Sequence, residues 1–120
     1  MLEITHGVPV FHCAPQGPPL GSERDAADII GEAWSQQARV IAIPVSRLAE
    51  GFFRLETRMA GEFTQKFVNY RVPLAFLGDI SEHVQRSSAL ASYVRETNRG
   101  NQIWYLADRA ELDRRLGAAS

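Results

Sequence analysis

The sequence predicts an α/β fold: one single-layer, mostly parallel sheet of about five strands, with an N-terminal hairpin and four helices. Three observations carry this. Short apolar runs recur at Val40–Ile43, Leu74–Leu77 and Ile103–Leu106. Stretches with apolar residues three and four apart alternate with those runs. Such alternation implies parallel strands joined by right-handed helical crossovers. The chain opens instead on two short strands split by His6-Gly7, which adds one antiparallel edge strand. With 120 residues the chain is expected to form one domain, 1–120, with a short tail at 118–120.

Each element has its own local signal. Leu2–Thr5 and Val8–Cys13 read as strands, because Gly7 tolerates the positive φ that a tight turn needs. Ala14–Gly21 holds three prolines and two glycines, so it is a loop. Ser22 is an N-cap candidate with Asp25 in the reciprocal position. Ala26, Ile29, Ile30, Ala33 and Trp34 then trace one buried face of a helix over Glu23–Gln36. Val40–Ile43 is short and apolar throughout, as a buried parallel strand is, and Pro44 ends it. Ser46 is placed to cap a short turn carrying Leu48. Phe52, Phe53 and Leu55 supply aromatic and apolar mass.

Thr57 is the next cap candidate. Ala60, Phe63, Phe67 and Tyr70 mark the inner stripe of a helix over Arg58–Tyr70. Pro73 cannot continue it. Leu74–Leu77 is the next strand, closed by Gly78-Asp79. Ser87 or Ser88 caps a third helix with Leu90, Ala91 and Val94 inside, and Gly100 fits the left-handed residue that ends it. Ile103–Leu106 is the last strand. Asp108 and Glu111 form a capping pair ahead of a helix burying Leu112 and Leu116.

Composition excludes several functions. A formal net charge of −1 lacks the positive field of a nucleic-acid or anionic-membrane binder. Lys66 is the only lysine among 13 basic residues. Cys13 is the only cysteine, so no intrachain disulfide forms, and the three histidines have no metal-ligand spacing. No cofactor is expected. No apolar run is long enough to span a membrane, and the first residues lack the pattern of a signal peptide, which predicts a cytoplasmic protein.

No catalytic motif is present: no glycine-rich phosphate loop, no His-Glu-x-x-His and no Gly-x-Ser-x-Gly. Cys13 would be a nucleophile only if a neighbour lowered its pKa. His12, adjacent on a strand, points to the other face, and a small core residue is the competing role. The carboxyl ends of the strands gather Asp25, Ser46, Arg47 and Asp79 as a candidate ligand site, with His83 an exposed loop residue. At the opposite end, Arg71 with Arg99 and Asn98 would grip a carboxylate or phosphate, or else neutralise helix-end carbonyls. Arg58, Glu62, Lys66 and Asn69 share one helix face. That row is either a solvated salt-bridged surface or, with Phe52 and Phe53, a stripe for a partner protein or a second copy of the chain.

Two stretches carry a resemblance. Ala60-Gly-Glu-Phe-Thr-Gln-Lys-Phe-Val-Asn-Tyr-Arg71, preceded by Phe52-Phe53, and Glu96-Thr-Asn-Arg-Gly100 resemble the hallmark segments of the bacterial "domain of unknown function 4180" family. Leu74-Ala-Phe-Leu-Gly-Asp79 fits the same pattern. The likeness runs from about Ala14 to Leu116. Arg58 departs from it, standing where the family often has a small or flexible residue. The order of elements is also similar to that of STAS domains, small regulatory modules that bind protein partners or nucleotides. Some of these carry a phosphorylated serine or threonine after a central strand. Ser46 takes the nearest equivalent place, although the usual Asp-Ser-Ser/Thr-Gly pattern is absent. The family name implies a fold and no activity; a scaffold without a catalytic set but with a charged, aromatic-rich second helix points to a STAS-like regulatory or protein-interaction module without catalytic activity. The alternative is a small enzyme or an anion- or nucleotide-binding protein, using either the carboxyl rim or the Arg71/Arg99 pair.

Overall fold

The computed structural model describes residues 1–119, of which Ala119 is placed by its backbone alone. Five strands form one sheet in the order β1-β2-β3-β4-β5. They are β1 (Leu2–Thr5), β2 (Val8–His12), β3 (Val40–Pro44), β4 (Leu74–Leu77) and β5 (Ile103–Leu106). β1 and β2 pair antiparallel, and the other three pairings are parallel. His6 and Gly7 both take positive φ, 51° and 78°, the signature of the hairpin turn that matches strand twist.

Five helices lie among the described residues: α1 (Glu23–Ser35), α2 (Met59–Asn69), α3 (Ser81–Arg86), α4 (Ser88–Arg99) and α5 (Arg109–Ala119). The extra one, α3, is a short helix in what read as a loop. Asp79 starts it by accepting the Ser81 N–H at 2.9 Å. The expected tail is helical as far as Ala119. Ser120 lies outside the described residues.

The sheet has two unequal sides. One buries Phe11, Ile41, Ile43, Leu74, Phe76 and Tyr105 beneath α1, α2 and α4. The other holds Val10, Val40, Ala42, Ala75, Trp104 and Leu106 beneath Leu112 and Leu116 of α5 alone. This follows from strand order. Each parallel crossover steps one strand in the same direction, so handedness sends every connecting helix to one face. No adjacent crossovers diverge, and the crevice that usually receives ligands in open α/β sheets is therefore missing.

Several local expectations change. Trp34 and Tyr70, expected inside, are 51% and 48% exposed. Trp34 sits in the last turn of α1, and Tyr70 is the residue that caps the carboxyl end of α2. Phe52 and Phe53, expected on a docking surface, are 1% and 9% exposed. Phe52 packs edge-on against Phe63 and tilted against Phe76, sealing the carboxyl end of the core. Gly100 is extended (φ −88°, ψ −171°), because that geometry hands its carbonyl to the Trp104 indole N–H at 2.7 Å. Ser46 caps nothing: the short 3-10 turn Val45–Arg47 follows Pro44 without a side-chain cap. Arg58 precedes α2 in the left-handed region, φ 64°, which explains why a small or flexible residue suits that place.

Candidate functional site

The expected carboxyl-rim ligand set is engaged in local structure. Asp25 accepts from the backbone N–H groups of Gly21 and Ser22 at 3.0 and 3.1 Å. Partial burial would raise its pKa, but those bonds prevail and hold it below the usual carboxylate value. Asp79 is likewise lowered by the Ser81 N–H. Arg47 donates to the carbonyls of Ala14, Gln16 and Pro18, pinning the proline loop from within. Gly17 takes a φ of 139°, which favours glycine, and a Cβ there would stand 2.9 Å from the Arg47 guanidinium. Ser46 is exposed.

Cys13 is no better placed for chemistry. Burial pushes its thiol up to about 11, and Arg47 offsets this only in part. A thiol that stays protonated at neutral pH is a poor nucleophile. It packs against the larger core, as the competing reading expected. Among the described residues no group of His, Cys, Asp and Glu side chains is arranged to hold a metal ion, and no helix is long and apolar enough to cross a membrane.

In the helix row Arg58, Glu62 and Asn69 are exposed and Lys66 is half-buried, but the charges do not pair as expected. Among the described residues the ion pairs are His6–Asp113, Glu96–Arg99 and Glu3–Arg109, so Glu62 and Lys66 are not joined. Asn69 instead accepts from Gln65 at 2.8 Å. Asn98 is also occupied. Its side-chain amide brackets the backbone of Tyr105, accepting at 2.6 Å and donating at 3.0 Å. Arg99 faces Glu96 at 3.6 Å.

A different set converges at the amino end of the strands. Helices α1 and α2 end in the same way. Gln37 and Arg71 take left-handed φ of 61° and 57°. Ala38 N–H reaches back to the Ala33 carbonyl, and Val72 N–H to that of Phe67. This is the six-to-one closure of a Schellman motif, twice over, with non-glycine residues at the left-handed position. The shared geometry lays the two helix ends side by side. Trp34 and Tyr70 then meet edge to face, ring centroids 5.3 Å apart.

Beside that pair lies an open cavity of about 360 Å³, lined by Trp34, Ala38, Arg39, Tyr70, Arg71 and Pro73 among others. Arg39, not Arg99, is the cation that shares it with Arg71. Neither Arg39 nor Arg71 has an ion-pair partner among the described residues. Val68, 39% exposed, extends the apolar surface along α2. Arg71 was legible in the sequence as a helix-end cation. Trp34, Arg39 and Tyr70 were not, because periodicity placed both rings in the core and no glycine marked the left-handed closures.

Neither a curated protein nor a solved structure matches the chain. A family model described as Domain of unknown function (DUF4180) matches residues 5–116, and on that match the chain belongs to the DUF4180 family.

Proposed function

We propose that this domain is a non-catalytic, regulatory interaction module, and that it docks an acidic segment of a partner protein at the amino rim of its sheet. One observation carries the reading: the exposed Trp34–Tyr70 pair is flanked by Arg39 and Arg71, whose guanidinium groups have no ion-pair partner among the described residues. Trp, Tyr and Arg are the residues that dominate binding energy at protein interfaces. A cavity with aromatic walls and two cations suits an apolar side chain flanked by carboxylates. The raised thiol of Cys13 and the engagement of Asp25 and Asp79 in turns support binding over catalysis. The order of elements resembles that of STAS domains, some of which bind protein partners; order alone is an analogy of fold.

The test uses Trp34 as its own reporter, since the other tryptophan, Trp104, is 7% exposed. A peptide alternating leucine with aspartate and glutamate should shift Trp34 emission. Its asparagine and glutamine counterpart should bind at least tenfold more weakly. The double variant Arg39→Gln/Arg71→Gln should lose that preference while melting like the parent. Equal binding of the two peptides, or none by either, would remove the proposal. A second copy of the chain is the competing occupant. A dimer that dissociates on Trp34→Ala would favour it over an acidic partner.

A further inference from the structure

The second face of the sheet carries a separate cavity, of about 500 Å³, at the carboxyl ends of β2, β3 and β4. Its apolar floor is Ala42, Pro44 and Leu77. Register explains the grouping. His12 pairs with Ala42 and Pro44 with Leu77, so these positions lie on one side of neighbouring strands. That is the side covered by α5 alone. Its Leu112 and Leu116 pack on the smaller core, and Ala42 is too small to fill the space left at the rim.

The wall of the cavity is polar where His12 and Arg109 meet, and again at Met1, whose amino group donates to the His12 carbonyl at 2.9 Å. Arg109, the first residue of α5, binds the Glu3 carboxylate through Nη2, and the same nitrogen lies 3.2 Å from His12 Nε2. Burial and then the charge of Arg109 lower the pKa of His12, so its neutral ring accepts that bond. Both contacts leave from Nη2. The N–H groups on Nε and Nη1 have no partner among the described residues. The cavity is thus an apolar chamber with free guanidinium donors at its edge, in the size range of small-ligand sites.

We infer that this chamber binds a monocarboxylate with a short hydrocarbon body, its carboxylate on Arg109 and its chain over Ala42, Pro44 and Leu77. The site is independent of the aromatic rim, which lies at the other end of the strands. A neutral body fits a floor without charge, and a carboxylate matches the fork of a guanidinium that has donors to spare. Glu3 competes for the same cation.

That competition supplies a test which loss of folding cannot mimic. Calorimetry on the full chain at fixed ionic strength compares hexanoate, 1-hexanol and hexylamine. Hexanoate should bind at least tenfold tighter than either. Glu3→Gln should tighten hexanoate several-fold, because it frees Arg109, and Arg109→Gln should abolish the preference over hexanol. N-acetyl-leucine is a further arm: tighter binding than hexanoate assigns the carboxylate to a peptide C-terminus, weaker binding to a hydrocarbon acid. Hexanol or hexylamine matching hexanoate, no heat from any probe, or weaker hexanoate binding by Glu3→Gln would each overturn the assignment.

Discussion

The side-chain amide of Asn98 takes the place of a sixth strand beside Tyr105. Hydrogen bonds run from Leu74 N–H to the Gln102 carbonyl and from Gly78 N–H to the Leu106 carbonyl. By alternation, Tyr105 turns its own N–H and C=O outward, to the free edge of β5. Asn98 satisfies both, at 2.6 and 3.0 Å. Arg115 binds the Asn98 carbonyl and lies over the Trp104 ring, 5.0 Å from its centroid, fastening α5 to the same edge. Asn98→Ala should cost about 2–4 kcal/mol, because two bonds go and two backbone groups lose their partners. Urea unfolding measures this, and a loss below about 1 kcal/mol would contradict it. Self-association should rise with the edge uncovered.

Arg47 should matter to the proline loop more than to the core. Its three carbonyl contacts span Ala14–Pro18. Arg47→Lys keeps the charge but not the fork, so it should speed amide exchange and proteolysis across residues 14–21. The melting temperature should fall by only a few degrees, equivalent to about 1 kcal/mol. Unchanged exchange in that segment would show that the prolines hold the loop unaided.

Arg58 stands in the left-handed region ahead of α2. Glycine carries no Cβ penalty there, so Arg58→Gly should be neutral or stabilising by up to about 1 kcal/mol. Arg58→Val should destabilise by a similar amount or more. The reverse order of the two variants in thermal denaturation would refute the strain argument.

His12 makes stability depend on pH. Its pKa in the folded protein lies below the ordinary value, through burial and then Arg109. The unfolded chain thus takes up the proton first. The full contribution is present above about pH 6.5 and is lost as pH falls through the folded value. Urea titrations at pH 7.5 and pH 5 should show this loss, and His12→Asn should flatten it. An unchanged slope in that variant would place the sensitivity elsewhere.

Trp34 and Tyr70 are exposed enough that alanine at either should cost little stability. Their edge-to-face contact should appear as a coupling of about 0.5–1.5 kcal/mol in a double-mutant cycle. A coupling near zero would mean that the two rings are held apart in solution.

The layered path was legible because its signals are local. Val40, Ile41, Leu74, Phe76 and Ile103 announce buried strands by unbroken apolarity, and all are at most 5% exposed. Ser22 with Asp25 announced the start of α1, and both reciprocal bonds form. The helix α3 was missed because its six residues are too few for a period to show.

Functional surfaces were less legible, because they depend on which side chains the local structure already uses. Sequence by itself determined the alternating strands and helices, the hairpin and the family, since backbone preference and apolar spacing act over a few residues. Tertiary structure alone decided that Phe52 and Phe53 seal the core, that Asn98 closes a sheet edge, and that Trp34 and Tyr70 meet in solvent. It also decided that Arg109 comes to His12 across the sheet. Those relationships are made by residues far apart in the chain, brought together only when the sheet closes and its helices choose a face.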